Sequence, residues 1–187
     1  MSKKIAVIGM GQMGSNMASR LGEAQFDVMG YDIAESVRKN LSERGVKMGD
    51  GLAETLSGRS IVLTSLPDPK AVKSAWLGAS GIAALAEPNS LIIELSTIDP
   101  TTMKTVAAAA LENGHAVLDC PVSGSQNEAG SGKLVLLVGG EENAVKRGEP
   151  LFDLLGQTWK HTGPVGTAKV VKIVNNMMSM GLSLIHI

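Results

Sequence analysis

The chain opens on a short apolar run, Ile5-Ala-Val-Ile8, that breaks into glycines at positions 9, 11 and 14. Ile5 to Ile8 are β-branched or small, which suits a strand buried on both faces of a parallel sheet. From Met10 the apolar period changes: Met10, Met13, Met17 and Leu21 lie on one face of a helix. A strand therefore passes into a helix across Gly9-Met10-Gly11-Gln12-Met13-Gly14. A second apolar run, Phe26 to Tyr31, ends at Asp32.

The alternation continues along the chain. Residues 33 to 43 have helical composition with Gly45 as a stop, and a further turn or two of helix is expected up to Leu56. Ser60 to Ser65 reads as a strand ended by Leu66-Pro67-Asp68-Pro69, which cannot continue inside a sheet. A short helix is predicted over 72–77 and a loop, partly helical, over 78–89. Leu91 to Leu95 is a buried strand, followed by Ser96-Thr97. Asp99 then caps a helix with Pro100 at its first position. Met103, Val106, Ala107, Ala110 and Leu111 form its inner face and Gly114 ends it. Ala116 to Cys120 is strand, 121–133 a polar, glycine-rich connection, and 134–138 strand again. A helix over 141–155 runs through Pro150, and 157–161 is a last short strand.

This order predicts an α/β fold with a doubly wound, mostly parallel sheet of the Rossmann type over residues 1–163. A different texture follows. Val170, Ile173, Val174, Met177, Met178 and Gly181 keep a helical period with no strand after it. Residues 164–187 are read as the first helix of an incomplete, all-helical second domain.

The glycine pattern acquires chemistry from its position between strand and helix. Gly9 allows the tight turn, Gly11 admits a pyrophosphate close to the backbone, and Gly14 lets the helix pack near its strand. Phosphates would sit on the N–H groups at the positive end of the helix. Asp32 lies 21 residues after Gly11. An acidic side chain there accepts the ribose hydroxyls of NAD and repels the 2′-phosphate of NADP, so NAD is the expected cofactor and NADP the less favoured one.

Two further segments carry candidate chemistry. On the last helix Lys169, Lys172, Asn175, Asn176 and Ser179 lie away from the apolar stripe, and Lys172 and Asn176 stand one turn apart. The plain alternative is a solvated helix face. A lysine with its pKa lowered by burial can relay the proton that a hydroxyl loses as it gives up hydride. In Asp119-Cys-Pro-Val-Ser-Gly-Ser125 a strand ends in small hydroxyl residues whose N–H groups and Ser123 hydroxyl suit a carboxylate; an ordinary turn is the alternative.

Composition narrows the partners. Lys and Arg number 17 against 18 Asp and Glu, for a net charge of −1, which offers no basic footprint for nucleic acid or acidic lipid. A small molecule is the expected partner, with neither nucleic acid nor membrane. The single cysteine, Cys120, is expected to be a buried strand residue, and its lack of a disulfide partner fits a cytoplasmic location. Lys3-Lys4 before the first apolar run is rejected as a signal peptide, since that run is short and enters the glycine turn. His115 and His161 are read as packing or surface residues and His186 as terminal; no metal site is found.

Four segments together resemble one family, the β-hydroxyacid dehydrogenases, which include 3-hydroxyisobutyrate dehydrogenase, tartronate semialdehyde reductase and the glyoxylate/succinic semialdehyde reductases. They are Gly9-Met-Gly-Gln-Met-Gly14 with Met17-Ala18, Ser96-Thr-Ile-Asp-Pro100, Asp119-Cys-Pro-Val-Ser-Gly124 and Lys172-Ile-Val-Asn-Asn176. The resemblance implies an NAD-dependent oxidoreductase of small 3-hydroxy acids or their semialdehydes, with a carboxylate-bearing substrate. Lys172 is then the acid/base, Asn176 its substrate-side neighbour, Ser123 and Gly124 with Ser125 the carboxylate anchors, and Leu66, Pro67 and Thr97 cofactor contacts. It implies a homo-oligomer for the full-length form. The chain departs from 6-phosphogluconate dehydrogenase, a relative with His-Asn where Asn175-Asn176 stand. Ser125 replaces a glycine of the 3-hydroxyisobutyrate and tartronate branches, as in the glyoxylate/succinic semialdehyde branch, and Ala168 replaces a frequent glycine. Members of the family continue as a helical domain, so the chain is read as truncated. A catalytically incompetent NAD-binding fragment or binding module is the competing reading.

Overall fold

The computed structural model describes residues 4–185. Along the chain run β1 (Lys4–Ile8), α1 (Gln12–Glu23), β2 (Asp27–Tyr31), α2 (Glu35–Glu43), α3 (Leu52–Leu56), β3 (Ile61–Thr64), α4 (Pro69–Trp76), α5 (Ile82–Leu85) and β4 (Leu91–Glu94). There follow α6 (Pro100–Glu112), β5 (Ala116–Asp119), β6 (Val122–Ser123), α7 (Gln126–Ser131), β7 (Leu134–Gly139), α8 (Glu142–Leu155), β8 (Gly156–Gly163) and α9 (Thr167–Ile185). One eight-stranded sheet takes the order β2-β1-β3-β4-β5-β7-β6, with β8 paired to β7. The pairs β2-β1, β1-β3, β3-β4 and β4-β5 are parallel, while β7 runs antiparallel to β5 and β6. This is the doubly wound, mostly parallel Rossmann arrangement. The order reverses between β1 and β3, and in such sheets the carboxyl ends at the reversal form the ligand crevice.

The core has two layers because side chains alternate across each strand. Ile5, Val7, Ile61, Leu63, Leu91, Ile93 and Leu118 face one layer, closed by Met17 and Leu21 of α1 and Leu151, Phe152 and Leu155 of α8. Ala6, Ile8, Val62, Ile92 and Val117 face the other, with Val72 and Trp76 of α4, Ile82 of α5 and Met103, Val106 and Ala110 of α6. Each fully buried aliphatic side chain of this kind contributes about 1.5–3 kcal/mol relative to exposure.

Several expectations are corrected. Leu111, assigned to the inner face of α6, is 52% exposed, because Met103, Val106, Ala107 and Ala110 already fill the contact with the sheet. α4 starts at Pro69 rather than near Val72, since the Asp68 side chain accepts the Ala71 N–H with Pro69 at the first helical position. The connection over 121–133 contains β6 and α7. Its start is a capping box in which the Ser125 hydroxyl takes the Asn127 N–H and the Glu128 carboxylate takes the Ser125 N–H.

α9 turns two of its lysines inward, against a solvated-face reading, while Asn175 and Ser179 of the same polar set are exposed. Ala168, Lys169 and Lys172 are buried, while Val170, Val174, Met177 and Met178 are exposed. The cause is the surface on which α9 lies. Its first turns pack against β5, β7, β8 and α6, where strand ends offer carboxylates and carbonyls that a lysine satisfies and a valine does not.

Candidate active site

Each glycine of the opening turn has a distinct physical reason. Gly9 has φ +89°, and a Cβ there would lie 2.2 Å from the Ser65 carbonyl oxygen of the neighbouring strand end. A Cβ on Gly14 would lie 1.9 Å from the Gly9 carbonyl oxygen. Both sites are closed by backbone. Gly11, by contrast, has nothing within 4 Å of its Cβ position and starts α1 with no side chain capping the helix. The start of α1 is therefore open, and the first N–H groups of a helix without a side-chain cap suit an anion such as a pyrophosphate. Met10 is buried, Met13 half-buried and Gln12 exposed at this edge.

Asp32 stands beside the same turn. Its Oδ2 accepts the Met10 N–H at 2.8 Å and its Oδ1 the Ala34 N–H at 2.9 Å, so the carboxylate is fixed on the glycine loop. A carboxylate has about four acceptor positions, and two remain for ribose hydroxyls. Arg38 reaches back to the Asp32 and Ile33 carbonyls at 2.7 and 3.2 Å and lies over the Tyr31 ring, 5.6 Å from its centroid. The glycine loop, the fixed carboxylate and the free helix start together fit a dinucleotide.

The other cofactor-side candidates come from the ends of β3 and β4. Leu66 is half-buried, and its N–H donates to the Ser96 hydroxyl at 2.8 Å. Pro67 and Thr97 are exposed just beyond these strands.

Lys172 and Ser123 are brought together from distant parts of the chain: the Lys172 ammonium donates to Ser123 Oγ at 2.6 Å. Lys172 is 8% exposed, and burial lowers its pKa from the usual lysine value. Ser123, on β6, accepts this bond and keeps its own hydrogen to donate. Gly124 has φ +139° and carries the turn from β6 toward α7. Asn176 is half-buried one turn beyond Lys172. Ser125 is not drawn into this pairing, because its side chain caps α7 and contacts the Glu128 carboxylate.

Sequence reasoning missed the polar floor under this site. Glu94, Asp119 and Lys169 are fully buried at the ends of β4, β5 and the start of α9. The signal was present: two carboxylates each close an apolar strand, at Leu91 to Glu94 and Ala116 to Asp119. Cys120 is buried beside them and its thiol is pushed up to about 12, chiefly by burial, so it remains protonated. His115 Nε2 faces the Ala83 carbonyl and His161 Nε2 the Gly140 and Gly163 carbonyls, both as packing residues. His186 lies outside the described residues. Among the described residues no group of three His, Cys, Asp or Glu is placed to hold a metal, and no helix is long and apolar enough to cross a membrane.

Fold and glycine turn define a dinucleotide-binding Rossmann domain, in which a lysine–serine pair joins α9 to β6. The chain belongs to the family described as the NAD binding domain of 6-phosphogluconate dehydrogenase, whose model matches residues 4–164. NAD is thus the cofactor of this domain. Among its relatives, an NAD-dependent L-serine dehydrogenase of Pseudomonas aeruginosa is 36% identical over 176 residues, covering 94% of this chain and 59% of that protein. A 3-hydroxyisobutyrate dehydrogenase of the same organism is 36% identical, covering 93% and 58%. The structure of a Mycobacterium tuberculosis 3-hydroxyisobutyrate dehydrogenase with L-serine superposes with a TM-score of 0.88 at 32% identity, covering 95% of this chain and 60% of that one. The chain therefore spans about 60% of the length of these relatives.

Proposed function

We propose that this chain is the cofactor-binding part of an NAD-dependent oxidoreductase that interconverts a small 3-hydroxy carboxylic acid and its semialdehyde or oxo acid. The observation that carries the reading is the 2.6 Å contact between Lys172 Nζ and Ser123 Oγ, placed where the sheet's strand ends open. Residues 1–163 form the NAD-binding domain, and 164–187 lead into a helical domain that completes the pocket in a homo-oligomer of the full-length form.

NAD, when bound, supplies the hydride acceptor or donor. Gly9 to Gly14 receive its pyrophosphate, Asp32 its adenosine ribose, and Leu66, Pro67 and Thr97 border it on the strands of the crevice. Lys172 takes the hydroxyl proton as the substrate carbon is oxidised and returns it in reduction. Burial favours the neutral amine that the first role needs. The Ser123 hydroxyl and the Gly124 backbone hold the carboxylate, with Asn176 on the substrate side of Lys172; Ser125, whose N–H and hydroxyl are taken by Glu128, fixes the turn that carries them. L-serine and 3-hydroxyisobutyrate, named in the relatives, share this chemistry: a carboxylate with a hydroxyl on the third carbon. Asp32 favours NAD over NADP by placing a negative charge where the 2′-phosphate would stand.

A second reading is an NAD-binding fragment without turnover, favoured by the share of its relatives that the chain spans. NADH oxidation with a panel of small semialdehydes, run beside direct NADH binding, separates the two. Turnover supports the oxidoreductase. Binding without turnover by the full-length gene product overturns it.

A further inference from the structure

Lys169 takes no part in the chemistry above, yet its side chain is 0% exposed. Its ammonium donates to the Glu94 carbonyl at 2.9 Å and to the Ser96 carbonyl at 2.8 Å, and stands 4.0 Å from Glu94 Oε1. Its backbone N–H donates to Asp119 Oδ2 at 3.1 Å. The groups it meets are themselves tied down. Thr64 donates its hydroxyl, and Ser96 its N–H, to the Glu94 carboxylate at 2.5 Å each. The Ser96 hydroxyl accepts the Leu66 N–H. One buried residue thus ties α9 to the end of β4 through its ammonium, to β3 through the Glu94–Thr64 bond, and to the end of β5 through its backbone N–H.

Burying an ammonium carries a large desolvation cost that an aliphatic side chain of similar length avoids. What the charge provides here is two strong donors aimed at the carbonyls on either side of Leu95, directly before Thr97. The same helix presents Lys172 one turn further on, so a shift of α9 against the end of β4 would move the proton-relay lysine against the cofactor edge. A displacement of about 1 Å at such a site lowers rates by about a hundredfold.

We propose that Lys169 is a positioning residue: it clamps the Glu94–Ser96 turn to α9 and so fixes Thr97, on the cofactor side, relative to Lys172, on the substrate side. This rests on the roles assigned to Thr97 and Lys172 above. Lys169 acts through these two groups and touches neither substrate nor cofactor.

The test uses the 187-residue chain with Lys169→Met, which fills the space without donors, and Lys169→Gln, which keeps two donors without charge. Hydrogen exchange of the apo chain reads the clamp directly, and NADH titration reads its consequence. Expected are faster exchange confined to residues 95–99 in Lys169→Met, with β2 and α2 unchanged. The Kd for NADH rises about tenfold or more, as loss of charged hydrogen bonds predicts, and Lys169→Gln recovers most of that loss. Unchanged exchange at 95–99 in a folded Lys169→Met overturns the clamp. A uniform rise in exchange that Lys169→Gln does not rescue also overturns it, as the mark of a general structural role. If Lys169→Met does not fold, the pair Glu94→Gln with Lys169→Met, which leaves no buried unpaired carboxylate at this point, takes its place with the same outcomes. Failure of the wild-type chain to bind NADH sinks the cofactor reading instead, and exchange at 95–99 then decides the clamp alone.

Discussion

Lys172 and Ser123 lie 49 positions apart in the chain and 2.6 Å apart in space, with the lysine donating to the serine hydroxyl. The contact gives Ser123 a defined orientation, since its lone pair meets the ammonium and its hydrogen is directed elsewhere. In the full-length gene product, Lys172→Ala is expected to lower kcat by about 10²–10⁴, the usual contribution of a positioned acid/base, while NADH binding holds. Ser123→Ala should lower kcat/KM by about ten- to a hundredfold through loss of an anchored hydrogen bond. The rate of oxidation should rise with pH along a titration below the ordinary lysine value of about 10.4, because burial lowers Lys172. A Lys172→Ala enzyme with normal turnover would remove the lysine from the mechanism.

Two glycines of the opening turn, Gly9 and Gly11, predict opposite behaviours. Gly9→Ala forces a side chain into φ +89° and against the Ser65 carbonyl, 2.2 Å from the new Cβ. The backbone strain alone costs about 1–3 kcal/mol, so its melting temperature should fall by several degrees. Gly11→Ala meets nothing within 4 Å and has φ −65°. It should melt close to wild type but bind NAD more weakly, because its methyl group points into the space the pyrophosphate needs. Calorimetric melting and NADH titration of both variants check the pair of outcomes; a stable Gly11→Ala with undiminished affinity contradicts the phosphate assignment.

Asp32 is held by the Met10 and Ala34 N–H groups on the glycine loop. The wild-type chain should bind NAD more tightly than NADP. Asp32→Ser keeps a small acceptor for these N–H groups and removes the charge, and Arg38 already lies next to it, bonded to the Asp32 carbonyl. The variant should therefore shift the NADP-to-NAD affinity ratio toward NADP by about tenfold or more, as loss of one close charge repulsion implies. Titrations of both dinucleotides measure the ratio, and tighter NADP binding by the wild type would contradict the role given to Asp32.

Much of this architecture was legible because local and global signals agree. The apolar runs at Ile5, Ile61, Leu91 and Val117 are short and β-branched, and the helix over 100–112 announces itself through Asp99 and Pro100. The start of α4 carries the same Asp-Pro signature at Asp68-Pro69, although the prolines on either side of Asp68 point equally to the end of a strand. α7 carried Ser125 and Glu128 at capping-box spacing, masked by glycines that suggest a loop. What sequence periodicity could not show is that α9 packs by its lysine face. Hydrophobic patterning presumes an apolar partner surface, whereas α9 lies on strand ends that present Glu94, Asp119 and open carbonyls. Lys172 was identifiable through its motif. Lys169 shares its polar face, and only the fold distinguishes a residue 0% exposed from a solvated one.

Asp119 gives the final prediction, a dependence of stability on pH. Its Oδ2 accepts the Lys169 N–H and its Oδ1 is buried with no hydrogen-bond partner. Burial raises its pKa above the ordinary 3.8, against the opposing pull of the Lys169 ammonium. In the interval between the ordinary value and the raised one, the folded chain holds a proton that the unfolded chain has released. Stability contributed by this residue is therefore present below that interval and is lost as pH rises through it. The slope for one proton reaches about 1.4 kcal/mol per pH unit. Asp119→Asn cannot titrate, and its amide nitrogen would stand where Oδ1 now lies against Gly139, a glycine that the Pro164 carbonyl also borders. Its melting temperature relative to wild type should accordingly rise as pH is raised above the ordinary 3.8, with the difference levelling off above the raised pKa. Paired calorimetric scans across that range measure the difference. A gap that stays constant, or narrows with increasing pH, would show that Asp119 is charged throughout in the folded chain.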